Sequence, residues 1–102
     1  MKKMTYSSTK LDLLELAGTA SLLTRDQGKS IREKVEMLIS DYEIVVLDLT
    51  NIEALSPSFT DELFAILRGN LGDSFSIKIK IVCPKVTWRR LIHSVMAHRK
   101  SI

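Results

Sequence analysis

Cysteine occurs once in this chain of 102 residues, at Cys83, so no disulfide can form within it and a fold stapled by bridges is excluded. Cysteine usage of this kind fits a reducing cytoplasm, the expected location. The two prolines and four glycines are scattered, leaving no linker between domains and no glycine-rich loop to cradle a phosphate. No apolar run approaches the roughly 20 residues of a membrane span, and the opening MKKMTYSSTK has lysines but no hydrophobic segment behind them, unlike a secretory signal. His93 and His98 stand five apart with no nearby acid in a ligand pattern, so neither a metal nor another cofactor is expected. Charge of one sign is also scarce in excess: 15 Lys and Arg against 12 Asp and Glu give a net charge of +3. Lys85, Arg89, Arg90, Arg99 and Lys100 carry much of it, too little for a dedicated nucleic-acid binder, and read as a solvated face.

What is present is the make-up of an ordinary globular domain, 45% hydrophobic and 26% charged, expected to form one unit over 1–102 around one core. Met4-Thr5-Tyr6 and Leu11 to Leu16 read as short strands, joined as a hairpin around Ser7-Ser8-Thr9, with Gly18 and Thr19 ending the region. Thr24 with Gln27 three residues on has the form of a capping box. Gly28, Ile31, Val35, Leu38 and Ile39 then share one side of a helix running to about Ser40. Glycine on that stripe costs about 1 kcal/mol, which predicts a close approach of the backbone to the sheet. Ile44-Val45-Val46-Leu47 is a continuous apolar run, the pattern of a strand covered on both faces. Phe75 to Ile81 alternates apolar and polar residues, predicting a strand with one wet face that carries the lysines. A last helix follows Pro84, with Trp88, Leu91, Ile92, Val95 and Met96 as its buried stripe and Arg90 and His93 pointing away. The alternation of strands and helices implies an α/β fold, a small mixed sheet with three main helices packed mainly on one face.

The segment of greatest interest joins the strand ending at Asp48 to the helix opened by Ser56-Pro57-Ser58. Ser56 is suited to cap that helix and Pro57 to its first position, where a missing amide costs nothing. At about 100° per residue, Phe59, Leu63, Ile66 and Leu67 face the core, while Ser58, Asp61, Glu62 and Ala65 face water. Ser58 is then either a residue chosen for helix initiation or a hydroxyl offered to a partner. A phosphate there would sit comfortably beside free backbone donors and would add about −1.5 to −2 charge to a patch already holding Asp61 and Glu62. Asp48 reads as an acceptor for its own loop, and Cys83 as a structural residue at a strand end.

The strand IVVLDL, the Thr50-Asn51-Ile52 turn and the serine-bearing helix start resemble STAS domains, found in sulfate transporters and anti-sigma-factor antagonists. In that family the loop ends in Asp-Ser-Ser-Gly, and laid over this chain Ser58 matches the phosphorylated serine, with Ser56, Pro57 and Phe59 in place of the other three. A divergent STAS-like family of unknown function is a better match, with a Ser-Phe-x-x-Glu-Leu helix start (here Ser58 to Leu63) and an arginine-glycine helix start (here Arg25 to Gly28). The resemblance runs from about Leu11 to Arg99. It implies a non-enzymatic regulatory module whose surface of Ser56, Ser58, Asp61, Glu62 and Ala65 binds a protein partner, a histidine-kinase-like ATPase or serine kinase. An alternative is a small adaptor that contacts nucleic acid or another acidic partner through Arg89, Arg90 and His93. A hydrolase would need a histidine at Ser58, and nothing in the sequence brings His93 or His98 there.

Overall fold

The computed structural model describes residues 6–100. In chain order the elements are β1 (Tyr6–Asp12), α1 (Leu13–Ala17), β2 (Ser21–Leu22), α2 (Arg25–Ile39), β3 (Tyr42–Asp48) and β4 (Ala54–Leu55). Helix α3 follows over 57–71, α-helical at Pro57–Thr60, π-helical at Asp61–Ala65 and α-helical again at Ile66–Leu71. The chain continues with α4 (Ser74–Lys78), β5 (Ile79–Val82) and α5 (Val86–Lys100). Strands β1, β3 and β5 form a sheet in that order, and β2 pairs with β4 in a second, two-stranded ladder. The expected α/β class holds, but among the described residues every strand pair is parallel, where a mixed sheet was anticipated. Crossovers that all advance in one direction across a sheet place their helices on one face.

The expected N-terminal hairpin is absent. Ser7, Ser8 and Thr9 lie inside β1, which runs unbroken to Asp12, while Met4 and Thr5 fall outside the described residues. The Leu13-Leu14 doublet that blurs the alternation is the start of α1. The Asp12 carboxylate accepts from the amides of Leu14 and Glu15, so strand and helix meet at a capping residue. Gly18 ends α1 at φ 72°, the left-handed cap that favours glycine.

Register explains how the sheet is covered. Thr9, Val45 and Ile79 are partners across one row and Leu11, Leu47 and Ile81 across the next, all on the face under the helices. Val45 and Leu47 are fully buried there, with Leu13, Ile31, Val35, Leu63, Phe64 and Leu67. The opposite face carries the row Lys10, Val46, Lys80. Both lysines are exposed and Ile44 and Val46 are half-buried, so β3 is covered on one face and not on two as its unbroken apolar run implied. The lysine heads find local partners: Lys10 pairs with Asp48 at 3.4 Å and Lys80 donates to the Ser76 carbonyl at 2.9 Å. Their aliphatic stems are suited to shielding the β-branched residues between them.

The predicted strand over Phe75 to Ile81 is helical in its first half. Phe75 and Ile79 are buried, and a spacing of four satisfies both a helical turn and a strand's alternation. Ile77 separates the two cases: it would face inward in a strand, and it is 68% exposed. The final helix follows the expected pattern, with Ile92 buried and Trp88, Leu91 and Met96 packed against the core. None of the described helices is long and apolar enough to cross a membrane.

Candidate functional site

Two helix starts lie side by side, delivered by the β2–β4 ladder in which Ser21 pairs with Ala54 and Leu22 with Leu55. The first is closed on itself. Thr24 accepts from the Gln27 amide at 3.1 Å, and the Gln27 side-chain oxygen accepts in return from the Thr24 amide at 2.9 Å, completing the capping box. The second is tied to the first. The Ser56 hydroxyl accepts from the Phe59 amide at 3.0 Å and donates to the Leu23 carbonyl at 2.6 Å, while the Ser56 amide donates to the Leu22 carbonyl.

Three hydroxyls occupy the opening of α3, and their environments differ. That of Ser56 is committed to these bonds. Thr60 is fully buried and donates to the Ser56 carbonyl at 2.8 Å. Ser58 alone of the three is exposed, and its hydroxyl forms no hydrogen bond among the described residues. The neighbouring Phe59 is fully buried and fixes which way the first turn faces; burying such a ring contributes about 2–3 kcal/mol.

Helix α2 crosses α3 at Gly28, with no room for a side chain. A Cβ there would lie 2.9 Å from the Phe59 carbonyl oxygen and 2.9 Å from Glu62 Cβ. The close approach expected of this glycine is therefore to a helix and not to the sheet. Arg25 and Arg32, one turn before and one turn after Gly28, flank the crossing. Arg25 Nη1 donates to Asp61 Oδ2 at 2.9 Å and to Glu62 Oε1 at 3.3 Å. Arg32 Nη1 donates to Glu62 Oε2 and to the Glu62 backbone carbonyl, each at 2.7 Å.

The second of those Arg32 bonds bears on the π-turn. In an unbroken α-helix the Ile66 amide would donate to the Glu62 carbonyl; here it reaches back to Asp61. Arg32 takes the carbonyl that this shift releases. The π-turn adds a residue to the winding, so phases counted at 100° fail beyond Asp61. That is why Ala65, expected on the partner surface, is only 4% exposed, and why Phe64 joins the core.

Asp61 and Glu62 do not form the bare acidic patch anticipated beside Ser58. Both are half-buried and ion-paired across the α2–α3 contact. The Arg32 hydrogen bond, and after it that of Arg25, hold the Glu62 carboxyl below the usual carboxylate range against the opposing cost of burial. Asp48 is likewise lowered, chiefly by the Thr50 hydroxyl and amide, and serves its own loop. Cys83 is buried, and burial pushes its thiol up, away from reactivity.

Ser58 opens onto a groove of about 630 Å³ lined by Arg25, Pro57, Ser58, Asp61, Leu91, Ser94, Val95 and His98. Its walls come from the two helix starts and from α5. The sequence offered no reason to bring a histidine here, yet His98 shares the groove with Ser58. Arg89, Arg90 and His93 are exposed on α5; Arg89 and His93 lie more than a quarter-turn from the groove residues by helical phase, while Arg90 stands about 40° from Ser94 at the groove's edge. No group of three or more metal-ligating side chains is assembled among the described residues.

A small parallel sheet backed by helices, with a serine-bearing helix start beside its third-strand loop, defines a STAS-like domain. A sequence model of the family described as "STAS-like domain of unknown function (DUF4325)" matches residues 27–84, more than half of the chain, and the chain belongs to that family. No curated protein and no solved structure matches it. The matched span holds Gly28, Arg32, Ser56, Ser58, Asp61 and Glu62, so the contact of α2 with α3 and the candidate serine both fall within it.

Proposed function

We propose that this STAS-like chain is a non-enzymatic regulatory module that docks a protein partner over the groove beside Ser58. The partner is a histidine-kinase-like ATPase or serine kinase that transfers the γ-phosphoryl group of ATP to the Ser58 hydroxyl. The oxygen–phosphorus bond forms as the β–γ anhydride breaks, ADP leaves, and the hydroxyl proton passes to the kinase's base. One observation carries this reading: of three hydroxyls in the first turn, Ser56 and Thr60 are spent on the helix, while Ser58 is exposed and without a bond partner. The location of the arginines adds to it. Asp61 and Glu62 are already neutralised by Arg25 and Arg32, so a phosphate would not enter an uncompensated acidic patch.

The test compares wild type, Ser58→Ala and Ser58→Asp as bait in extracts of the native host, with the retained proteins quantified. A partner kept by wild type and Ser58→Ala and lost at least tenfold with Ser58→Asp is the expected result. Equal retention by all three overturns the switch. Incubating the retained partner with ATP and the chain should place the phosphate on Ser58 and leave Thr60 untouched.

A further inference from the structure

We propose that Arg25 is the internal receiver for charge placed on Ser58, releasing Glu62 to Arg32 while keeping Asp61, and so tying a phosphoserine at 58 across the mouth of the groove. This rests on the reading of Ser58 as a modified residue and adds how the modification is felt by the fold.

Arg25 occupies the first position of α2, where the helix dipole disfavours a cation, and its side chain is 53% exposed. Its stay there depends on Asp61 and Glu62. Those two holds are unequal. Glu62 has a second, shorter and less exposed pair with Arg32 at 2.7 Å, so it keeps a partner when Arg25 turns away. Asp61 stands one helical turn from Ser58, and side chains three apart on a helix face are neighbours. A guanidinium already bonded to Asp61 Oδ2 therefore sits next to the place a phosphate on Ser58 would occupy, and both residues line the same groove.

A phosphate carries more charge than a carboxylate and offers three acceptor oxygens, and arginine's planar fork can bridge it to Asp61 without abandoning either. The like charges of Asp61 and the phosphate then share one cation. The outcome is a new link between α2 and α3 over the groove. A partner would find the cleft narrowed as well as recharged.

The probe is the full chain with phosphoserine inserted at position 58 during translation, which needs no kinase and no partner. Phosphorus NMR follows the second ionisation of that phosphate. In wild type its midpoint is expected about half a unit to one unit below that of the same residue in an unfolded peptide, given an exposed site. Arg25→Gln should reverse most of that shift, the helix-start amides keeping the remainder, and Arg25→Lys should fall between. His98 lines the groove as well, and Asp61 faces the same space. The series is therefore repeated in a His98→Gln background, where the difference between the chain that keeps Arg25 and the one carrying Arg25→Gln should persist. Should Arg25→Gln lose its fold, Arg25→Met, which keeps an unbranched apolar stem and removes only the charged fork, supplies a second route and should raise the midpoint by the same amount. Equal midpoints with and without Arg25, or a shift abolished by His98→Gln alone, overturn the proposal. Either result leaves modification of Ser58 itself standing, and failure to find a kinase would leave the Arg25 result intact.

Discussion

The two neighbouring helix starts are built from the same parts and end in opposite states. Each follows a two-residue strand of the same ladder, and each has a hydroxyl residue whose oxygen accepts from the third amide of its helix. They diverge at that third residue. In α2 it is Gln27, whose side chain turns back to satisfy Leu23 and Thr24, and the polar groups of the turn serve one another. In α3 it is Phe59, which goes into the core and offers nothing to the cap. The residue before Phe59 is thereby presented outward with its hydroxyl unused. A capping box makes a finished end, whereas an aromatic at the same position makes an anchored end with one group to spare.

The largest effect is expected at the crossing that holds the two starts together. Gly28→Val places methyl groups where a bare Cβ already meets the Phe59 carbonyl and Glu62 at 2.9 Å. Overpacking of this kind costs about 1–3 kcal/mol, and a valine gains little helix propensity to offset it. A denaturant titration should show the midpoint falling, and an unchanged midpoint would mean that the helices are not in register at Gly28.

The second effect concerns Glu62, whose folded carboxyl is lowered mainly by Arg32. The unfolded chain then binds more protons in the acid range, so its stabilisation is complete above about pH 4.3 and is lost as pH falls through the folded value. Glu62→Gln should destabilise the neutral protein by about 2 kcal/mol, the scale of a charge-assisted bond. It should also flatten the acid limb of stability against pH, though not abolish it, because Asp48 is lowered as well. Parallel limbs in the two proteins would count against the pairing.

The smallest effect sharpens the comparison most. Ser56→Ala removes a cap and leaves the Leu23 carbonyl without its donor, a loss of about 1–2 kcal/mol. Ser58→Ala, two residues on, should stay within about 0.5 kcal/mol of wild type. Thermal melts of the pair suffice. Equal losses would show that the Ser58 hydroxyl is structural after all.

What could be read from the sequence was local chemistry. The Thr24–Gln27 box and the Ser56-Pro57 start were legible because their partners lie within four residues. Asp12 could have been read in the same way, since an acid before a Leu-Leu-Glu run is a cap pattern, but the strand reading of Leu11 to Leu16 masked it. The α4 segment was ambiguous in principle, Phe75 and Ile79 being on one side in either conformation. The π-turn leaves no periodic mark in fifteen residues of helix, and its misreading carried Ala65 to the wrong face. Pairing of Arg25 and Arg32 with residues 30 to 37 positions away is tertiary. One clue to it was present: an arginine at the first position of a helix opposes the dipole and implies an acid from elsewhere.

The wound-in extra residue at Asp61–Ala65 means that α3 carries two registers, one on each side of the turn. Before it, the winding is set by Phe59 and keeps position 58 outward; after it, Leu67 and its neighbours follow a frame displaced by one residue. Excising a single residue here would heal the ladder and leave both halves facing as they do, whereas healing it with the residue kept would turn one half of the rod by about 100° relative to the other, forcing a choice between a seated core and a presented serine. The helix start and the helix body can therefore change independently only while that loop of slack remains between them.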